Sequence, residues 1–160
     1  MGQRGQHNLV LANMGTPVST ALALWTLSFW QPAELPRLTL RLAIVPFLIV
    51  WGLLTFVLEG PSSFSSVADP VASLVGLGAA AFTLVARSRS TEGPLHLRDW
   101  FWVIGGMVLF FGTATMLQPL SALLIGDAPQ LVVRAYEVKS VLDVVAFLAI
   151  ARGVTCPAAT

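Results

Sequence analysis

Four ionisable side chains, Arg134, Glu137, Lys139 and Asp143, fall in a stretch that is otherwise mostly Val, Leu, Ala, Ile and Phe. Arg134 and Glu137 are three apart and Lys139 and Asp143 four apart, so on an α-helix each pair shares a face. Two chemistries suit that pattern. In one, the charges are structural ion pairs that fix the register of a helix against its neighbours. In the other, Lys139 and Asp143 exchange charge as protons or ions pass, as in a small coupled transporter or channel. Both presuppose hydrocarbon around the segment. There a central charge costs about 2.5–3.5 kcal/mol, and each Leu, Ile, Val or Phe returns about 0.3–0.6. The eleven such residues between Leu131 and Ala151 return roughly 5 kcal/mol, against about 10 for four central charges. The segment therefore needs shelter. Arg134 can snorkel to the nearer interface, whereas Asp143 is too short to leave the midplane, where charges are paired and mark functional sites.

Leu131, Ala135, Val138, Leu142, Val145 and Ala149 recur at alternating steps of four and three, which predicts a coiled-coil-like seam with the charges on its flanks. Ala135 and Ala149 would admit a close neighbour. The expected one is the segment carrying Gly76 and Ala80, a small-residue surface of the type membrane helices pack with. Thr115 and Gln118, with Thr113 and Ser121, are the polar groups placed to hydrogen-bond Lys139 or Asp143.

The elements that must position these residues are hydrophobic helices. Crossing roughly 30 Å of hydrocarbon takes about 20 mostly apolar residues. Four stretches qualify: Leu38–Leu58, Pro70–Ala86, Trp100–Ile125 and Leu131–Ala151. The second is short at about 25 Å, and the third is long at about 39 Å, with Pro119 as its expected bend. Asp69 before Pro70 and Asp99 before Trp100 read as helix caps. Glu59-Gly60-Pro61 and Gly126-Asp127-Ala128-Pro129 read as stops and turns. The short connections predict two antiparallel hairpins.

Arg37, Arg41, Arg87, Arg89, Arg98 and Arg152 all fall at one set of helix ends, while the other connections hold Glu59, Asp69 and Asp127. The positive-inside rule makes the arginine-rich end, and with it the C-terminus, cytoplasmic. The segment from Leu9 to Trp30 is diluted by Asn13, Gly15, Thr16, Pro17, Ser19 and Thr20. It reads either as an amphipathic helix from Thr16 in the inner interface or as a fifth crossing that would place the N-terminus outside.

Composition agrees with a membrane chain. Of 160 residues 56% are hydrophobic and 11% charged, against about 25% charged in soluble domains. A net charge of +1 lacks the basic excess that nucleic-acid binding requires. One cysteine, Cys156, excludes paired-thiol chemistry, and neither His7 nor His96 lies inside a hydrophobic stretch. No G-x-S-x-G, H-E-x-x-H or phosphate-loop motif is present.

The sequence thus predicts an all-α integral membrane bundle. Residues 1–37 hold the N-terminal interfacial (or fifth spanning) helix, 38–154 four transmembrane helices, and 155–160 a tail. The expected role is a non-enzymatic helical subunit or accessory protein packing against other membrane helices, its own copies or a larger complex. No catalytic, metal or cofactor residues are assigned. Eight of nine basic residues are Arg, which suggests a GC-rich bacterial genome and the bacterial inner (plasma) membrane.

Overall fold

A computed structural model describes residues 3–60, 66–91, 93–124 and 128–155, with side chains from Met14 onward apart from Leu97, Ala122 and Pro129. The tail with Cys156, the turn at Gly126-Asp127 and the side chain of His7 lie outside the described residues. The described chain is helical: α1 (Gln3–Phe29), α2 (Glu34–Leu53), α3 (Ala68–Ser90), α4 (Asp99–Leu124) and α5 (Pro129–Thr155). Three stretches are long and apolar enough to cross a membrane, Glu34–Glu59, Ala68–Ser90 and Asp99–Ser121.

α2 continues past Leu53 into a π-helical turn, Leu54–Glu59, in which the Gly60 amide donates to the Thr55 carbonyl at 2.8 Å. Gly60 then breaks the helix at φ 84°, a value glycine adopts without the steric penalty of a Cβ. α3 is longer than its apolar core suggests. At 23 residues it rises about 35 Å, because Ser88 and Ser90 back-bond to carbonyls within the helix rather than opening the loop.

The expected Asp69 cap is replaced by a carboxylate from another element. Glu59 accepts from the Val67 amide at 2.6 Å, the Ala68 amide at 3.3 Å and the Ser66 hydroxyl at 2.8 Å. The end of α2 therefore caps the start of α3, where a negative charge also meets the positive end of the helix dipole.

α1 does not begin at Thr16. It runs unbroken through Pro17 and packs lengthwise against α2 and α3, burying Ala23, Leu24 and Leu27. Its register with α2 is antiparallel: Arg37 donates to the Gln31 carbonyl and Arg41 to the Ser28 hydroxyl. The Arg41 guanidinium also lies 4.8 Å from the Trp25 ring centroid and 5.0 Å from that of Phe29. Gln31, 2% exposed, donates to Thr83 on α3 at 2.6 Å and ties the α1–α2 corner to the bundle.

The helices are arranged as a chain of neighbours. α1 bridges α2 and α3, α3 packs on α4, and α4 packs most extensively of all on α5. α2 and α3 touch little directly, so the first of the two expected hairpins is filled by α1 and the second is a close-packed pair. The ends of α1, α3 and α5 meet the starts of α2 and α4 at one end of the bundle, where Arg37, Arg87, Arg89, Arg98 and Arg152 gather. Arg152 stacks 4.8 Å from the Trp102 ring centroid, and the Trp102 indole donates to the His96 carbonyl at 2.8 Å.

Candidate functional site

α5 meets α4 along Val132, Ala135, Lys139, Leu142, Ala146, Ala149 and Gly153, all buried or half-buried. This is a seam of alternating three and four, but it is not the one the hydrophobic residues spell out. Leu131, Val138 and Val145 face outward, and the packed stripe is shifted by one residue at every other position. The shift seats Lys139 on the seam, where a single lysine specifies register at a cost in stability.

Small residues make the contact possible. A Cβ on Gly106 would lie 2.6 Å from the Ala146 carbonyl oxygen and 2.7 Å from Ile150, and a Cβ on Gly153 would lie 2.7 Å from the Asp99 carbonyl oxygen. The α4 and α5 backbones therefore touch at two levels. Gly76 and Ala80 are both buried, yet Gly76 packs on Phe111 of α4, so α4 separates the expected small-residue surface of α3 from α5. Ala135 and Ala149 are half-buried on the α4 side of α5.

Within the seam the Lys139 ammonium donates to the Asp143 carboxylate at 2.5 Å, with the two side chains 16% and 21% exposed. The same ammonium lies 5.3 Å from the Phe110 ring centroid, an attraction that strengthens on removal from water. The second oxygen of Asp143 is buried and accepts no hydrogen bond among the described residues. Gly153 against Asp99, Gly106 against Ala146 and Ile150, and Ser121 against Tyr136 (3.4 Å) set an antiparallel register. That register places Asp143 level with Gly112 and Arg134 level with Ser121. The apolar stretch Asp99–Ser121 centres on Phe110, so Asp143 lies about 3 Å along the axis from its middle. Arg134 and Glu137 lie at its far end.

The six polar residues singled out by the sequence thus separate into three groups. Lys139 and Asp143 pair. Arg134 and Glu137 are exposed, and no ion pair joins them. Gln118 accepts from Ser73 of α3 at 3.3 Å, and Thr115 back-bonds to Phe111. Tyr136, Phe110, Gly106 and Gly153 are contacts the sequence reading does not single out. The seven-residue spacing of Val132, Lys139, Ala146 and Gly153 is the signal that points to the last of them.

The opposite face of α5 carries a second series at the same spacing: Arg134, Glu137, Val141, Val144, Leu148 and Ala151 are all exposed. At about 100° per residue the two series stand roughly 180° apart on the helix. Among the described residues no three His, Cys, Asp or Glu come together as a metal site. Compared with protein-family models, curated proteins and solved structures, the chain gives no match in any of the three.

Proposed function

We propose that this chain is a non-enzymatic, multi-pass protein of the bacterial inner membrane that acts as a helical subunit, docking other membrane helices onto α5. The observation that carries the reading is the uncovered apolar side of α5, where Val133, Val141, Val144, Val145 and Leu148 are all exposed. One face is committed to α4, and the other repeats the heptad spacing with Val141, Val144, Leu148 and Ala151 uncovered. Such a stripe suits packing against a second helix. The level of Arg134 and Glu137 supports the same reading, since both lie at the end of the apolar layer, within reach of headgroups or a partner's polar groups.

In this reading α2 to α5 cross the bilayer and the arginine-rich end is cytoplasmic. α1, running lengthwise beside α2 and α3, makes the fifth crossing and places its N-terminal end outside. α5 crosses because its central charges neutralise each other against α4 instead of meeting lipid singly.

The test is a variant with Val144→Cys and Cys156→Ser, cross-linked in native membranes and weighed after mild solubilisation. A particle heavier than one chain, with a cross-link at position 144, is expected. A monomeric particle with no cross-linked product overturns the reading.

A second reading, proton- or ion-coupled transport through Lys139 and Asp143, is favoured by one observation: the unpartnered, buried carboxylate oxygen of Asp143 near the middle of the apolar layer. Midplane carboxylates serve proton relays. Flux in reconstituted vesicles that Asp143→Asn abolishes would establish it, whereas vesicles without flux leave the subunit reading in place.

A further inference from the structure

α2 and α3 are kept apart by α1, and the gap is a groove of about 550 Å³. Its walls are apolar: Leu35, Leu40 and Ala43 on α2, Gly78 and Phe82 on α3, and Leu24 of α1 at its floor. The groove extends over about two turns of each wall, a rise of about 12 Å. It lies within the range of small-ligand clefts, about 300–1,000 Å³, and suits a single alkyl chain.

A charge farther along the same face of α3 narrows the occupant. Leu74, Gly78, Phe82, Val85 and Arg89 succeed one another at steps of four, four, three and four, so all five lie on one face of α3. Arg89 stands about 10 Å along the axis from Phe82, and helical side chains lean toward the N-terminus of their helix, which is the groove's direction from Arg89. Arg89 is exposed, and among the described residues no hydrogen bond or ion pair holds it. Arg37 and Arg41, by contrast, stand on the far side of α2, where they meet the α1 corner.

We propose that the groove between α2 and α3 binds one acyl chain of an anionic phospholipid from the leaflet at the arginine-rich end, with its phosphate held by Arg89. This rests on insertion of α2 and α3 in a bilayer and is independent of what α5 docks.

Native mass spectrometry of the full chain in detergent, titrated with phosphatidylglycerol or with phosphatidylcholine of the same acyl chains, tests it. The wild type is expected to retain phosphatidylglycerol about fivefold more, the factor for one arginine near an anionic surface. Arg89→Gln should bring the two lipids to parity without altering retention of phosphatidylcholine. Gly78→Leu should reduce retention of both at least fivefold. A Cβ at position 78 meets nothing within 4 Å, so the new side chain starts into open space in the groove wall. Ala43→Leu fills it from the opposite wall and decides the matter if the first variant does not fold. Unchanged retention in the groove-filling variants, or an undiminished lipid preference in Arg89→Gln, overturns the proposal. So does dissociation of a second copy on filling the groove, with lipid retention intact.

Discussion

Removing one member of the Lys139–Asp143 pair should cost far more than removing both. At 2.5 Å and an effective dielectric of 20, the attraction is about 7 kcal/mol gross. Desolvation of the two ions, several kcal/mol each, offsets most of it. Asp143→Ala therefore does not forfeit 7 kcal/mol. It leaves an ammonium against Phe110 and α4 with no counter-charge, a situation that costs about 3–5 kcal/mol for a fully buried pair. With 16% and 21% of the two side chains exposed, the low end, about 3 kcal/mol, is expected. Lys139→Met should cost a similar amount by orphaning the carboxylate. The double variant Lys139→Met with Asp143→Leu replaces the pair by apolar volume on the seam and should fall within about 1 kcal/mol of the wild type, or above it. The assay is reversible unfolding of the solubilised chain in mixed micelles with increasing denaturing detergent, read as a double-mutant cycle. A coupling of several kcal/mol supports a clamp. Additive losses in the double variant would refute it, because they would mean that the two charges are separately solvated and the seam does not depend on their pairing.

Three further outcomes follow from the packing. Glu59→Ala removes the carboxylate that caps α3 and should lower stability by about 1 kcal/mol; equal unfolding midpoints for the variant and the wild type would show that the cap is not formed. Gly106→Val places carbon into the Ala146 carbonyl and Ile150 and should cost about 1–3 kcal/mol by forcing α4 and α5 apart, lowering the thermal midpoint by several degrees. Gly105→Ala, whose Cβ would meet nothing within 4 Å, should leave the midpoint unchanged or raise it, and a comparable drop there would contradict the assigned faces of α4. Gln31→Leu removes the hydrogen bond to Thr83, whose hydroxyl keeps its own bond to the Ala79 carbonyl, and should cost about 0.5–1.5 kcal/mol; an unchanged unfolding midpoint would show that the α1–α3 bond contributes nothing.

The positions of the helices were legible because length and apolar content decide them: α4 begins and ends within a residue of the expected Trp100–Ile125. Which face each helix presents was legible only in part. Hydrophobicity fails as a guide where lipid and protein core are equally apolar, so Leu131, Val138 and Val145 appear to form the seam on α5 although all three point away from α4. The packed side is betrayed instead by small residues, Ala146 and Gly153, and by the Lys139–Asp143 pair, which is half-buried while Arg134 and Glu137 stay exposed. The Lys139–Asp143 pairing followed from spacing alone, since an (i, i+4) contact is local. Its neighbour did not, because a choice between α3 and α4 is a tertiary matter that Gly106 settles through backbone approach. The start of α1 was obscured by Thr16-Pro17, a local helix-start signal that the helix passes through, since proline is tolerated where the preceding turn can bend. The Glu59 cap joins residues from two helices across a loop, which no local pattern announces.

The subunit role requires α5 to lie in the bilayer with Lys139 and Asp143 turned to α4. Single cysteines placed along α5 in a chain with Cys156→Ser, probed in intact cells with a membrane-impermeant maleimide, measure this directly. A cysteine at Gln130 should react from outside and one at Thr155 only after permeabilisation, with Val141, Val144 and Leu148 unreactive in both conditions. Reaction of all five positions from the same side would contradict it, placing α5 in water or flat on the surface and leaving the Lys139–Asp143 pair with no hydrocarbon to be sheltered from.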